Sequence, residues 1–544
     1  MYNYTKSYTK NQTGTWIIAS LICAAAGAGI LFISMSQGIG VGGDATIYIT
    51  SARNLLAGKG LGLINAAGEF RLIPYFPPFY SLLLAFFGLF TSDLVTVALI
   101  LNLVLFAGLI FLITFWTLRV SDRMFPGLLL GLLIAGSPIL IPAYSWAMSE
   151  PLALFLGFSG LILLEKSLIE NRRPGFWLSA VLLGLSFLTR YSSAAFIGAA
   201  VLLIFFFEGE TLKNRFLAAV SYGATAVVPM LVWLVMDFTQ TQTVSSRSMV
   251  SGKTAELWAA FVPKIKNVFT LWILPESLSA SMPGFLVTFI TLCIVLFSIG
   301  CLAGSVIAFR RGTKYPRYAR MFFLLSSLNL LYLLLIIYVS LNTYPPITIN
   351  TRMLLPVYVS NFWMIYLLFA LFEEYNHRMS RSFVFNTALF LFTIFNCYRA
   401  IRIANQNAID GLGYNSTAWK NSETIAWVKQ HIAEDREIVT NEETALLFLL
   451  NRRSWPMHEV YVQTPDSEYY AYESETGAEN DASRQTFRKG NAYLVVFDSF
   501  EDQMAEIYGE NTHSRIEKLF KNLNVLFDGD DGIVYTLEKE TDHE

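Results

Sequence analysis

Two neighbouring stretches decide the fold: Trp16–Met35, WIIASLICAAAGAGILFISM, and Gly42-Gly43-Asp44-Ala45-Thr46-Ile47-Tyr48 just beyond it. The first is about 20 residues of mostly apolar chain, long enough to cross a bilayer as a helix. Asp44 follows at its exit, where a carboxylate near lipid is costly and calls for a reason. The first run lacks a short cleavable core with a small-residue cleavage site, so it reads as a retained anchor. Working outward, apolar runs of similar length recur as far as residue 401. They are continuous, whereas a membrane barrel would show alternating segments of about ten residues. The chain of 544 residues is 54% hydrophobic, 15% aromatic and 15% charged, with a mean hydropathy of +0.47. This predicts a polytopic α-helical membrane protein.

A net charge of −2 hides an asymmetry: residues 402–544 carry 13 Lys+Arg against 27 Asp+Glu, and residues 1–401 carry 26 against 14. We therefore expect a basic transmembrane domain, 1–401, and an acidic soluble α/β domain, 402–544. In the tail, Ser422–Ala433 reads as a helix with Ser422 as N-cap, Glu437–Thr440 as a strand and Glu442–Leu450 as a helix. Ala492–Phe497 reads as a buried strand, Phe500–Tyr508 as a helix, and Asn524–Leu537 as a hairpin around Asp528–Gly532. That acidic turn lacks the spacing of a calcium loop. Cys23, Cys293, Cys301 and Cys397 all lie in or at the end of apolar runs and read as small hydrophobes.

About eleven transmembrane helices are expected, at 14–36, 94–118, 123–142, 147–166, 175–190, 192–207, 215–237, 283–309, 319–340, 352–372 and 382–401. Segments 44–57 and 77–90 read as interfacial helices. The run 175–207 reads as two short spans broken at Thr189-Arg190-Tyr191. That break puts Lys6/Lys10, Arg119/Arg123, Lys166/Arg172/Arg173, Lys213/Arg215, the Arg310–Arg320 cluster and Arg378/Arg381 on one side. The positive-inside rule makes that side cytoplasmic. The N-terminus is then cytoplasmic, and the tail is extracytoplasmic together with a first external loop, 37–93, and a second, 238–282. The second loop carries Trp258, Phe261, Val262, Ile265, Val268 and Phe269 at helical spacing, the pattern of an amphipathic interfacial helix.

Charged residues on the external side are few enough to weigh one by one. Asp44 opens a helix, followed by Tyr48 and Arg53; it is either an N-cap or a catalytic carboxylate, and both can hold. Glu150, in Ser149-Glu150-Pro151-Leu152, begins a span, where the helix dipole favours an acid; otherwise it is a second acid facing the cavity of Asp44. Arg352, in Asn350-Thr351-Arg352-Met353-Leu354-Leu355-Pro356, stands at a helix start, where a cation is disfavoured, and its guanidinium matches phosphate. Arg190 and Arg247 either assist it or snorkel to headgroups. The set suits a lipid-linked anionic substrate and a polar acceptor. A carboxylate would take the acceptor's proton and arginine would stabilise a phosphate leaving group. No Ser-His-Asp arrangement is present, since the histidines lie in a cytoplasmic loop or the tail.

With these residues in place, the chain resembles the glycosyltransferase-C (GT-C) superfamily, in particular the protein O-mannosyltransferases and the lipid A aminoarabinose transferases. The resemblance rests on Gly43-Asp44-Ala45-Thr46-Ile47-Tyr48, Pro77-Pro78-Phe79-Tyr80, Ser149-Glu150-Pro151-Leu152, Leu188-Thr189-Arg190-Tyr191 and Arg352-Met353-Leu354-Leu355-Pro356, in that order across residues 14–401. It implies a GT-C-like fold and transfer of a hexose or pentose, with inversion, from a polyprenyl-phosphate donor to an extracytoplasmic lipid, glycan or protein. It makes Asp44 the catalytic base, with Glu150 as the second acid, and the reading of the residues puts Arg352, with Arg190 and Arg247, near the donor phosphate. Tyr48, Arg53, Tyr80 and Tyr191 would line the substrate pocket. Three positions depart from the pattern, and at one of them many relatives have Asp where this chain has Glu150. Many relatives have Glu where this chain has Ala45, and the aminoarabinose branch has a phosphate-contacting Lys where this chain has Phe76. No cofactor is required, although a carboxylate with a phosphate holds Mg²⁺ weakly. No nucleic-acid partner is expected. The competing readings are a flippase of lipid-linked sugars, for which no inverted repeat is visible, a sensor acting through its tail, and a ligase with a diphosphate donor.

Overall fold

The computed structural model describes residues 10–537 except 73–75, 208–210, 242–247, 250–253, 345–346, 376–378, 458–481, 484, 488, 491, 509–511, 513–515, 517–519 and 521–522. Arg247, expected near the donor phosphate, lies outside the described residues.

In chain order the elements begin with α1 Lys10–Ser34, α2 Gly43–Leu56, β1 Gly62–Ile64, β2 Phe70–Leu72, α3 Phe79–Gly88, α4 Leu94–Ser121, α5 Met124–Ala135 and α6 Leu140–Tyr144. They continue with α7 Glu150–Glu170, α8 Arg173–Phe187, α9 Ala194–Phe207, α10 Leu212–Thr241, β3 Ser248–Met249, α11 Thr254–Leu271 and α12 Glu276–Ala280. Next come α13 Gly284–Arg310, α14 Pro316–Asn342, β4 Thr343–Tyr344, α15 Leu355–Tyr375 and α16 Met379–Asp410. The tail adds α17 Thr417–Lys420, α18 Glu423–His431, β5 Glu437–Thr440, α19 Glu443–Leu450, β6 Trp455–Pro456, β7 Ala492–Phe497, α20 Ser499–Tyr508, β8 Leu523–Gly529 and β9 Gly532–Leu537.

The chain divides into two compact units. One holds residues up to Ile39 and Leu72–Ala408; the other holds Gly40–Arg71 and Ile409–Glu544. Much of the first external loop, expected with the transmembrane domain, therefore folds with the tail.

In the membrane unit, α1, α4, α7, α10, α13, α14, α15 and α16 are each long and apolar enough to span a bilayer. Helices α3, α5 and α9 are apolar but shorter. The segment 123–142 is not one helix: α5 stops at Ala135, before Gly136-Ser137-Pro138. Pro138 pushes Ser137 out of helical geometry, and the freed N–H groups of Ile139 and Leu140 donate to Ser137 Oγ at 3.2 and 3.1 Å. The break in 175–207 is present, with α8 ending at Phe187 and a 3-10 turn, Tyr191–Ser193, leading into α9. Helix α11 is amphipathic as expected. Its stripe Phe261, Ile265, Val268 and Phe269 is buried, whereas Trp258 stays exposed.

The other unit is built on a five-stranded sheet of order β6-β5-β7-β9-β8. Strands β5, β6 and β7 are parallel; β9 runs antiparallel to β7 and β8. Alternate residues feed opposite faces. Val439 and Leu494 join a core with Trp455, Met457 and Phe487. Ile438 and Val495 join one with Ile425, Val428 and Leu446. Ser422 caps α18 by accepting from Ile425 N–H, and the expected hairpin is β8–β9.

Candidate active site

The membrane unit brings three of the sequence candidates together. Glu150 is buried in the first turn of α7. Its Oε1 lies 2.9 Å from Arg190 Nη1 and 3.0 Å from Arg352 Nε. Arg190 Nη1 also donates to Ser149 Oγ at 3.1 Å, and Nη2 reaches Met353 Sδ at 3.7 Å. The side chains of Arg190 and Arg352 remain 22% and 30% exposed, against 5% for Glu150. A buried carboxylate thus holds two guanidiniums, each with part of its surface accessible to an anion. One negative charge between two positive ones leaves the cluster cationic. Glu150 so placed has both guanidiniums against one carboxylate oxygen.

Each member is held by specific bonds. Arg190 adopts extended backbone at the α8–α9 break. That break is fixed by Phe79 N–H donating to Leu188 carbonyl at 3.1 Å, directly after the buried Pro77-Pro78 pair. Arg352 sits in a 3-10 turn, Thr351–Leu354, whose N-cap Asn350 accepts from Met353 N–H at 3.1 Å. Tyr332 Oη donates to Met353 carbonyl at 2.7 Å and pins that turn to α14. Ahead of Glu150, the Asn102 amide donates to the carbonyls of Tyr144 and Trp146 at 2.7 and 2.8 Å. Ser34 hydrogen-bonds Ser145 at 2.8 Å.

Glu150, Arg190, Arg352, Ser192, Phe196 and Tyr332 border a pocket of only ≈ 10 Å³. That is room for about one water. A phosphoryl group would therefore meet the exposed edges of the arginines, or the side chains would have to open. Tyr332 and Ser192 escaped the sequence reading because a tyrosine and a serine in apolar surroundings carry no charge signal.

Tyr80 is fully buried and Tyr48 nearly so, so neither side chain is open to solvent in this conformation. Tyr191 is half-buried and close enough to the buried Asp237 to feel its charge. Asp237 is a second acid at this level of the bundle that the motif pattern did not single out.

Asp44 belongs to the other unit. Gly42 occupies the N-cap of α2, so Asp44 is not the cap but lies in the first turn, where the helix dipole favours its charge. It is partly exposed. Tyr48 follows one turn later on the same face. Arg53 comes about two and a half turns on, on the opposite side of the helix from Asp44. It does not share a face with Asp44.

Among the described residues no group of three or more His, Cys, Asp or Glu is placed to hold a metal ion. Glu150 does not fit a divalent cation, because two guanidiniums already lie against its Oε1 and would repel one.

No protein-family model matches the chain, and no curated protein matches it. Solved structures do. The oligosaccharyltransferase of Archaeoglobus fulgidus, tethered with an acceptor peptide containing the NVT sequon, aligns over 96% of this chain and 74% of its own at 12% identity and a TM-score of 0.51. The same archaeon's AglB, in complex with an inhibitory peptide and a dolichol-phosphate, aligns over 94% and 72% at 12% identity and a TM-score of 0.50. ArnT from Cupriavidus metallidurans in the apo state aligns over 96% and 98% at 12% identity, with a TM-score of 0.46. At such identity the likeness speaks of fold. The chain therefore shares the fold of the archaeal oligosaccharyltransferase.

Proposed function

We propose that the chain is a membrane glycosyltransferase that takes a sugar from a polyprenyl-phosphate donor and places it, with inversion, on an extracytoplasmic lipid, glycan or protein. The observation that carries this reading is the convergence of Arg190 and Arg352 on the buried Glu150 Oε1, at 2.9 and 3.0 Å. A fixed pair of partly exposed guanidiniums suits a phosphate monoester. The fold supports it: a structural neighbour was solved with a dolichol-phosphate and another with an acceptor peptide.

In this reaction the acceptor hydroxyl oxygen forms a bond to the anomeric carbon, and the bond from that carbon to the phosphate oxygen breaks. Asp44 accepts the hydroxyl proton. The electron pair leaves on the polyprenyl phosphate, whose charge Arg190 and Arg352 stabilise. A single displacement inverts the anomeric centre. The multi-pass chain would lie in the cytoplasmic membrane with the tail outside. The test is sugar release from a panel of radiolabelled polyprenyl-phosphate sugars, by wild type and Asp44→Asn side by side in lipid. Turnover of one donor by wild type alone supports the proposal. Failure of wild type to bind or turn over any of them overturns it.

A further inference from the structure

We infer that Tyr414 is a positioning residue that latches the helix carrying Asp44 to the tail, so that the tail is part of the catalytic apparatus. This rests on the reading of Asp44 as the base.

The chain passes into the tail-containing unit twice, after α1 at Gly40 and in the last turn of α16 at Ile409. The two strands of chain that do so are stitched together. Val41 pairs with Gly413 in a parallel bridge, and Tyr414 N–H donates to Val41 carbonyl at 2.8 Å. The turn requires glycine. Gly411 and Gly413 have φ of 72° and 55°, and a Cβ at Gly411 would come within 2.6 Å of Ser416 Cα. The turn delivers the Tyr414 ring edge-on to Trp419, with centroids 5.2 Å apart.

The Tyr414 hydroxyl donates to Glu442 Oε2 at 3.2 Å and shares a 2.6 Å hydrogen bond with Thr444 Oγ1. Ser499 Oγ donates to Glu442 Oε1 at 2.6 Å. The phenol has one proton, given to the carboxylate, so Thr444 donates to the phenol. Burial pushes the Tyr414 hydroxyl pKa up, which keeps that proton in place. Thr444 in turn lies against α2: a Cβ on Gly43, the residue before Asp44, would be 3.9 Å from its Oγ1. The chain leading into Asp44 is thus held at Val41 by Tyr414 directly and lies at Gly43 beside Thr444, the hydrogen-bond partner of Tyr414.

The latch also sits where α/β sheets present function. Glu442 and Thr444 follow the carboxyl end of β5, which β6 and β7 flank on either side. That is a topological switch point.

The test uses the full chain in lipid. It compares Asp44→Asn, Tyr414→Phe, Thr444→Val and Thr444→Ser by donor-turnover kinetics and by hydrogen exchange of residues 43–56, with residues 423–431 as a fold control. We expect Tyr414→Phe and Thr444→Val to lower kcat about tenfold with donor KM nearly unchanged, as for a misplaced base. Exchange should quicken in 43–56 only, and Thr444→Ser should stay near wild type. Wild-type kcat and exchange in Tyr414→Phe, with Asp44→Asn inactive, overturns the latch and leaves the base reading standing. Substantial activity in Asp44→Asn overturns both. Quickened exchange in 423–431 as well, with Thr444→Ser equally impaired, marks a purely structural role and overturns the latch.

Discussion

The two units solve the placement of charge in opposite ways. In the membrane unit charged side chains are few, and those near the helix ends are met by partners distant in sequence. Glu150 gathers Arg190 and Arg352, and Glu170 meets Arg119 at 2.9 Å. In the tail-containing unit charges are many and mostly local or exposed. Its informative polar bonds join neutral groups to single carboxylates, as where Thr424 N–H and Oγ1 reach Asp531 at 3.1 and 2.8 Å. Scarcity makes the first unit's ions legible as function, because an unpaired ion in lipid is too costly to persist. Abundance hides Asp44 among many acids, and only its motif marks it out.

The comparison can be broken most sharply at Asp44. Asp44→Asn should lower transfer by about 10²–10⁴-fold, the usual loss of a general base, with thermal unfolding unchanged. Single-turnover kinetics reads this, and a loss below tenfold would move the base elsewhere. Next come the guanidiniums. Arg352→Ala and Arg190→Ala should each weaken donor binding about 10–100-fold, the loss of a charge-assisted hydrogen bond of about 1.5–3 kcal/mol. Titration with an unreactive polyprenyl phosphate checks it.

Glu150→Gln sharpens the division of labour. If Glu150 only orients the arginines, its loss raises the donor KM more than it lowers kcat and leaves the pH profile in place. A collapse of kcat matching that of Asp44→Asn would instead make it a proton acceptor. The smallest effect belongs to the scaffold. Asn102→Ala strips donors from the buried carbonyls of Tyr144 and Trp146, and should destabilise the membrane unit by about 1–3 kcal/mol, read as a lower midpoint of thermal unfolding in detergent.

Much of this architecture is legible in the residue order. Runs such as Leu94–Ser121 and Gly284–Arg310 declare their helices, since apolar length alone meets the demand of the bilayer. The break at Thr189-Arg190-Tyr191 follows from the distribution of charge along the loops, and the continuous apolar run Ala492–Phe497 and the turn at Asp528–Gly532 give β7 and the β8–β9 hairpin. The interruption after Ala135 was less visible, because the apolar stretch 123–142, even with Pro126, Pro138 and Pro142 in it, reads as continuous until its hydrogen bonds are followed.

Local sequence by itself thus determined the helices, the acidic α/β tail and the short roster of candidate residues, because hydrophobic length, periodicity and caps act between near neighbours. Only the tertiary structure decided that residues 150, 190 and 352 share one oxygen, that Tyr332 and Asn102 hold them there, and that Gly40–Arg71 folds with the tail. Those outcomes depend on long-range packing and on the need of each buried polar group for a partner, which no window of neighbouring residues can express.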